Sequence, residues 1–249
     1  MSISIDLSNR FAIVTGGTRG IGKSIVKKFI LSGAQVIATG RNKSNIELLN
    51  DKNKNPNLKY VYLDLALDKS LNNFLKEISE IKKIDILINN AGINIISEGI
   101  NVRDDDYELI QKVNVSSPFK ISKKVGAKMI LNKSGKIVNI ASIWGVVTKS
   151  QRSSYSTSKF ALIGFSKTFA VEWAKYNVLV NTVSPGFTLT DLTLTTNTSD
   201  EIKEIEKSIP QKRMAKTDDI ANAVLFLVSD LNQYITGQNI IIDGGYTQI

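Results

Sequence analysis

Short apolar runs recur along the chain, each separated from the next by a stretch long enough to hold a helix. Residues 11–15, 35–39, 59–63, 84–88, 136–140, 179–183 and 239–242 are dominated by Val, Ile, Leu, Phe, Tyr and Ala. Runs of this length and composition, without strict alternation, are what strands buried on both faces look like. Between them the period changes. Ile25, Val26, Phe29 and Ile30 stand at helical spacing, a helix is predicted to begin near Asp68, and longer helices are predicted over 103–131, 155–176 and 218–228. Strands alternating with helices in this way predict a single α/β domain over residues 1–249, a Rossmann-like, doubly wound sheet of seven parallel strands. The rhythm breaks between 189 and 212, where threonine and leucine give way to the charged stretch 200–207. That segment reads either as a lid over a site or as an ungated surface loop.

The carboxyl ends of the predicted strands carry the chemistry. After the first comes Gly16-Gly17-Thr18-Arg19-Gly20-Ile21-Gly22 and then a helix. Glycines let the backbone turn tightly and approach a pyrophosphate, and the helix start offers unpaired N–H groups with a partial positive charge. The spacing of Gly16, Gly20 and Gly22 differs from the common Gly-x-Gly-x-x-Gly fingerprint. The second strand ends in Gly40-Arg41, where a site that prefers NAD carries an acidic residue for the ribose hydroxyls. Arg41, with Arg19 in the glycine turn, favours a 2′-phosphate instead, so NADP(H) is expected over NAD(H). Asp64-Leu65 follows the third strand, and its carboxylate has two readings: an acceptor for the adenine amino group, or a cap for the helix near Asp68.

Further strand ends add to this set. Asn89-Asn90-Ala91-Gly92 pairs amides able to tie strands together with two small residues that leave room for a cofactor. Asn114, between Val113 and Val115, needs hydrogen-bond partners if buried and is able to distort its helix. Ser142 places a hydroxyl at the sheet edge, and Pro185-Gly186-Phe187-Thr188 ends the sixth strand sharply. Tyr155 and Lys159 stand four apart on a predicted helix, so they share one face. A cation about 4 Å from a phenol favours its ionised form by ~4 kcal/mol at an effective dielectric of about 20, before desolvation opposes it.

Composition narrows the chemistry. The 249 residues include no cysteine and no histidine, which excludes disulfides, thiolate and imidazole metal sites, cysteine nucleophiles and imidazole-based serine hydrolase triads. Protons must then be moved by tyrosine, lysine or carboxylates, and no metal is expected. The net charge of +9 comes from lysines spread over many helical segments with acidic residues among them. This reads as a solvated surface without a nucleic-acid partner, and one that attracts an anionic cofactor or substrate. With no long apolar run and no leader-like core in residues 1–10, the expectation is a cytoplasmic protein with no membrane partner.

Taken together, Thr15-Gly16-x-x-x-Gly20-Ile21-Gly22, Asp64, Asn89-Asn90-Ala91-Gly92, Asn114, Ser142, Tyr155-x-x-x-Lys159 and Pro185-Gly186 with Thr188 resemble the short-chain dehydrogenase/reductase family over nearly the whole chain. The resemblance implies a catalytic tetrad of Asn114, Ser142, Tyr155 and Lys159. In it Tyr155 protonates the carbonyl oxygen as hydride arrives, Ser142 hydrogen-bonds that oxygen, Lys159 lowers the pKa of Tyr155 and binds the nicotinamide ribose, and Asn114 holds a water leading to solvent. It implies cofactor contacts from the glycine turn, Thr18, Asp64, Leu65, Asn90, Ala91, Gly92, Pro185, Gly186 and Thr188. Within the family the chain is most similar to bacterial 3-oxoacyl-(acyl-carrier-protein) reductases, through Tyr234-Ile235-Thr236-Gly237 and residues 220–224. Of the basic positions that flank the mouth in those reductases, one holds Lys133 and another Tyr176, with Lys175 beside it. Relatives acting on sugars, polyols or small ketones share the same features, so the substrate is an acyl thioester or a small-molecule carbonyl. A catalytically silent NADP-sensing protein is the alternative of a different class. The family also implies a homotetramer built through 104–131, 155–176 and the C-terminal segment.

Overall fold

A computed structural model describes residues 4–190, 193, 195 and 198–248. Seven strands form one parallel sheet: β1 (Phe11–Val14), β2 (Gln35–Gly40), β3 (Leu58–Tyr62), β4 (Ile86–Asn89), β5 (Gly135–Ile140), β6 (Val178–Pro185) and β9 (Asn239–Ile242). Their spatial order is β3-β2-β1-β4-β5-β6-β9. The chain therefore winds outward from β1 in one direction, then restarts beside β1 with β4 and winds the other way. That reversal leaves a crevice between the β1 and β4 ends, where ligands bind in such sheets.

Alternation along the strands explains why their sequences are apolar throughout. Val14, Ile88 and Val138 point into one core with Ile25, Val26 and Phe29 of α1 (Gly20–Leu31) and Ile220 and Val224 of the helix Thr217–Val228. Their neighbours Ile13, Leu87 and Ile137 point into the other, with Phe74 of α3 (Asp68–Glu80), Val125 of α5 (Ser117–Leu131) and Trp173 of α6 (Ser153–Trp173). These strand residues are all but inaccessible to solvent.

Four features depart from the periodicity reading. α2 (Lys43–Lys52) was not predicted; it buries Ile46 alone and is held at its start by Asn42, whose Oδ1 accepts from the Asn45 amide at 2.9 Å. The expected helix over 103–131 is three pieces: α4 (Asp104–Gln111), a π-helical turn (Lys112–Ser116) and α5. Within the expected lid, α7 (Ser199–Ser208) starts at a capping box between Thr198 and Glu201, ahead of α8, the helix Thr217–Val228 already placed in the first core. Residues 191, 192, 194, 196 and 197 of that lid lie outside the described residues. A two-stranded parallel ribbon of β7 (Thr188–Leu189) and β8 (Ala215–Lys216) pairs the two ends of this segment. Among the described residues no helix is long and apolar enough to cross a membrane.

Candidate active site

The glycine turn closes directly against the end of β4. Gly16 and Gly20 adopt positive φ angles of 65° and 54°, which side-chain-bearing residues rarely do. A Cβ on Gly22 would collide with the Gly16 carbonyl oxygen, and one on Gly16 would stand 3.0 Å from the Ala91 Cα. Asn90 Nδ2 donates to the carbonyls of Thr15 (2.9 Å) and Gly16 (3.0 Å), while the Asn90 and Ala91 amides donate to Thr15 Oγ1. The β1 and β4 ends are thereby locked into one rim, with the start of α1 facing the crevice.

A cavity of about 600 Å³ runs along this rim, a size typical of ligand sites. Gly16, Thr18, Arg19, Gly20, Ile21, Gly22, Arg41, Asp64, Leu65, Asn90, Ala91 and Gly92 all line it, as the sequence anticipated. Asn42, Asn45, Ile93 and Thr190 line it as well, and none of them was among the predicted cofactor contacts. Asn42 directly follows the predicted Arg41, and Thr190 lies two residues beyond the predicted Thr188. Pro185, Gly186 and Thr188 are not brought to this cavity. Gly186 donates to the Ile242 carbonyl at 2.8 Å and Thr188 Oγ1 turns back to the Gly186 carbonyl at 3.1 Å. Asp64 does not cap α3, whose N-cap is Leu67; its Oδ1 accepts from the Ala66 amide at 2.9 Å, leaving the carboxylate on the cavity wall. The residues fit a dinucleotide: a glycine cradle that any Cβ would fill, a helix start for the pyrophosphate, and two exposed guanidiniums at the far end.

At the near end Gly92 touches the second cluster. A Cβ there would stand 3.2 Å from Asn114 Oδ1 and 3.5 Å from Lys159 Nζ. Asn114, 1% exposed within the π turn, accepts from the Ile93 amide at 2.9 Å and donates to the Ile93 carbonyl at 2.9 Å and to Ser158 Oγ at 3.0 Å. One amide thus clamps the segment after β4 onto α6. Lys159 is buried and donates to the Ile140 carbonyl at 2.9 Å, with its Nζ 5.4 Å from the centre of the Tyr155 ring. Ser142 Oγ accepts from the Trp144 amide at 3.2 Å, which fixes the hydroxyl at the end of β5.

Burial dominates the electrostatics. It lowers the Lys159 pKa to about 8 from 10.5, because an ammonium withdrawn from water is destabilised relative to the amine. It raises that of Tyr155, against a hydrogen bond with Ser142 and the positive charge of Arg152, which both pull it down. The expected lowering of Tyr155 by Lys159 is not seen in this arrangement. The ammonium lies over the ring and is committed to the Ile140 carbonyl.

The chain matches the protein family described as enoyl-(acyl carrier protein) reductase over residues 16–247. It is 40% identical to a 3-oxoacyl-(acyl-carrier-protein) reductase of Buchnera aphidicola subsp. Schizaphis graminum, across 96% of this chain and 98% of that protein. A reductase of the same name from Aquifex aeolicus is 39% identical across 98% and 99%. Among solved structures, 4-hydroxyisoleucine dehydrogenase complexed with NADH superposes with a TM-score of 0.90 at 34% identity, covering 97% of this chain and 100% of that one. Gluconate 5-dehydrogenase from Burkholderia cenocepacia, in complex with NADP and tartrate, superposes with a TM-score of 0.89 at 26% identity, covering 98% and 97%.

Proposed function

The chain belongs to the short-chain dehydrogenase/reductase family and is an NAD(P)(H)-dependent oxidoreductase acting on CH–OH groups; from that premise we propose that Tyr155, Ser142, Lys159 and Asn114 form its catalytic site. The observation that carries this reading is a chain of contacts: Asn114 and Lys159 stand beside Gly92, which lines the dinucleotide-sized cavity, the Lys159 ammonium lies over the Tyr155 ring, and Tyr155 shares a hydrogen bond with Ser142. The nicotinamide, when bound, supplies or accepts the hydride. Everything else falls to the chain. In reduction, Tyr155 gives its phenolic proton to the carbonyl oxygen and Ser142 donates a hydrogen bond to the same oxygen, stabilising the charge that develops there. A phenol raised by burial stays protonated through neutral pH, which suits a proton donor. Lys159 holds the nicotinamide ribose hydroxyls and supplies positive charge beneath Tyr155. Asn114 fixes the loop after β4 and holds the water through which Lys159 recovers its proton. The reaction is the interconversion of a ketone and a secondary alcohol, the chemistry named for the 3-oxoacyl-(acyl-carrier-protein) reductases to which the chain is similar.

Arg41 and Arg19 support a preference for NADP(H). Both line the adenosine end of the cavity, both are exposed, and no acidic residue follows β2 to receive ribose hydroxyls. Pro185, Gly186 and Thr188 are assigned to the nicotinamide side, beside Thr190, and the segment 189–212 to the lid. A homotetramer is supported by the outer faces of α5 and α6, where Phe119, Leu131, Phe160 and Val171 stay 39%, 83%, 50% and 81% exposed. Sedimentation of the purified protein at micromolar concentration tests this, and a monomer removes it. We place the enzyme in the cytoplasm, where reduced nicotinamide nucleotide is at hand.

The decisive experiment is NADPH oxidation across a panel of 3-oxoacyl thioesters, keto-sugars and simple ketones, run beside Tyr155→Phe. Turnover that drops about 1,000-fold or more in the variant, with NADPH affinity intact, supports the assignment. Equal turnover by both proteins removes Tyr155 from the mechanism.

A further inference from the structure

At the head of α6, Arg152 carries a charge that none of the described residues answers. Its Nε and Nη1 are buried without a hydrogen-bond partner, the residue as a whole is half-buried, and no acidic residue among those described pairs with it. The other arginines differ. Arg10, Arg103 and Arg213 pair with carboxylates, while Arg19 and Arg41 are exposed to water. Withdrawing two of the three nitrogens of a guanidinium from water without a hydrogen-bond partner or counter-charge is costly, and an anionic ligand at this point would offset that cost.

The position is specific. Arg152 is the N-cap residue of α6 and precedes Tyr155 by three positions, so both side chains belong to the first turn and lie about 5–6 Å apart at their Cβ atoms. Around it the other polar groups are satisfied. The Gln151 carbonyl accepts from the Ser97 amide at 3.4 Å, Gln111 Nε2 donates to the Ser154 carbonyl at 3.0 Å, and the Thr148 and Ser156 hydroxyls stand 3.2 Å apart. The guanidinium is what this corner leaves over. Its charge already reaches the Tyr155 phenol.

We infer that Arg152 recognises a carboxylate on the substrate, set a few bonds from the carbonyl that Ser142 and Tyr155 address, so that this enzyme acts on short oxo acids and the corresponding hydroxy acids. The inference rests on the assignment of Ser142 and Tyr155 to the carbonyl. A guanidinium matches a carboxylate in planar geometry and charge, and a neutral ketone or thioester leaves it as costly as it is in the free enzyme.

The test compares 2-, 3- and 4-oxopentanoate with their methyl esters, using wild type, Arg152→Met and Tyr155→Phe. Wild type is expected to favour at least one acid over its ester by on the order of 100-fold in kcat/KM, the range of a charged hydrogen bond. Arg152→Met should erase that preference, chiefly through KM, while ester turnover and NADPH affinity stay within about three-fold. Wild type using acid and ester equally overturns the inference. So does an equal loss for both in Arg152→Met with an alkaline shift of the pH profile, which would make Arg152 a positioning residue acting through Tyr155. Ester turnover that survives in Tyr155→Phe would instead sink the catalytic assignment. If no compound in the series is reduced, 3-hydroxypentanoate titrated into the NADPH complex decides. Saturable quenching of NADPH fluorescence that is lost in Arg152→Met supports the inference, and its absence in wild type overturns it.

Discussion

Lys159 exposes the cost of the catalytic arrangement to direct measurement. Its ammonium is buried and its pKa falls to about 8 from 10.5, through desolvation. The unfolded chain therefore holds a proton that the native protein has lost between those values. Stability attributable to this residue rises with pH across that window, and the burden is full below about pH 8. Integrating the two titrations from about pH 7 to about pH 9.5 gives ~2 kcal/mol. Lys159→Met removes the titration. Groups common to both proteins, Tyr155 among them, drop out of the difference, and the donor lost by the Ile140 carbonyl adds an offset that does not depend on pH. Urea unfolding of wild type and Lys159→Met at those two pH values, at one protein concentration, should show wild type gaining about 2 kcal/mol relative to the variant at the higher pH. Parallel pH dependences would refute the burial of a charged Lys159. The variant is also expected to be at least as stable as wild type at neutral pH and inactive, a trade of stability for function.

Three further outcomes are expected. Arg41→Asp should reverse the NADPH preference, lowering kcat/KM for NADPH about 10–100-fold while that for NADH holds or rises; unchanged selectivity in steady-state assays would remove Arg41 from the adenosine site. Asn114→Ala leaves the Ile93 amide and carbonyl and the Ser158 hydroxyl without a shared partner, which should cost about 3 kcal/mol in chemical denaturation and reduce kcat with it; a stability within about 0.5 kcal/mol of wild type would contradict the clamp. Because burial raises the Tyr155 pKa, its protonated form prevails at neutral pH. Reduction rates should be flat there and fall at alkaline pH, whereas alcohol oxidation, which needs the phenolate, should climb with pH; a reduction rate that increases with pH would show that another group donates the proton.

Much of this was legible because burial on both faces removes alternation from a strand: Ile13-Val14 and Leu87-Ile88 send successive side chains into different cores, so their runs read as strands by length and composition alone. The polar α2 stayed hidden for the converse reason, since Ile46 is the one side chain it buries. Asn114 announced a distorted helix by being an amide among valines, yet the π turn itself follows from the pairing with Ile93 and Ser158, which lie far apart in sequence. Thr190 and Asn42 reach the cavity through tertiary placement that no local pattern encodes. Arg152 stands just ahead of the predicted helix 155–176, and its isolation becomes apparent only once its surroundings are assembled.

The β7–β8 ribbon carries a consequence for evolution and engineering. By pairing Thr188 with Ala215 and Leu189 with Lys216, it anchors the stretch between them as a cassette whose two ends are fixed beside each other. The entropic penalty of lengthening such a closed loop grows only logarithmically. Swapping this cassette between relatives, cut at the ribbon, should therefore leave the recipient's sheet and glycine turn in place, with Thr190 as the cavity-lining residue that travels with it.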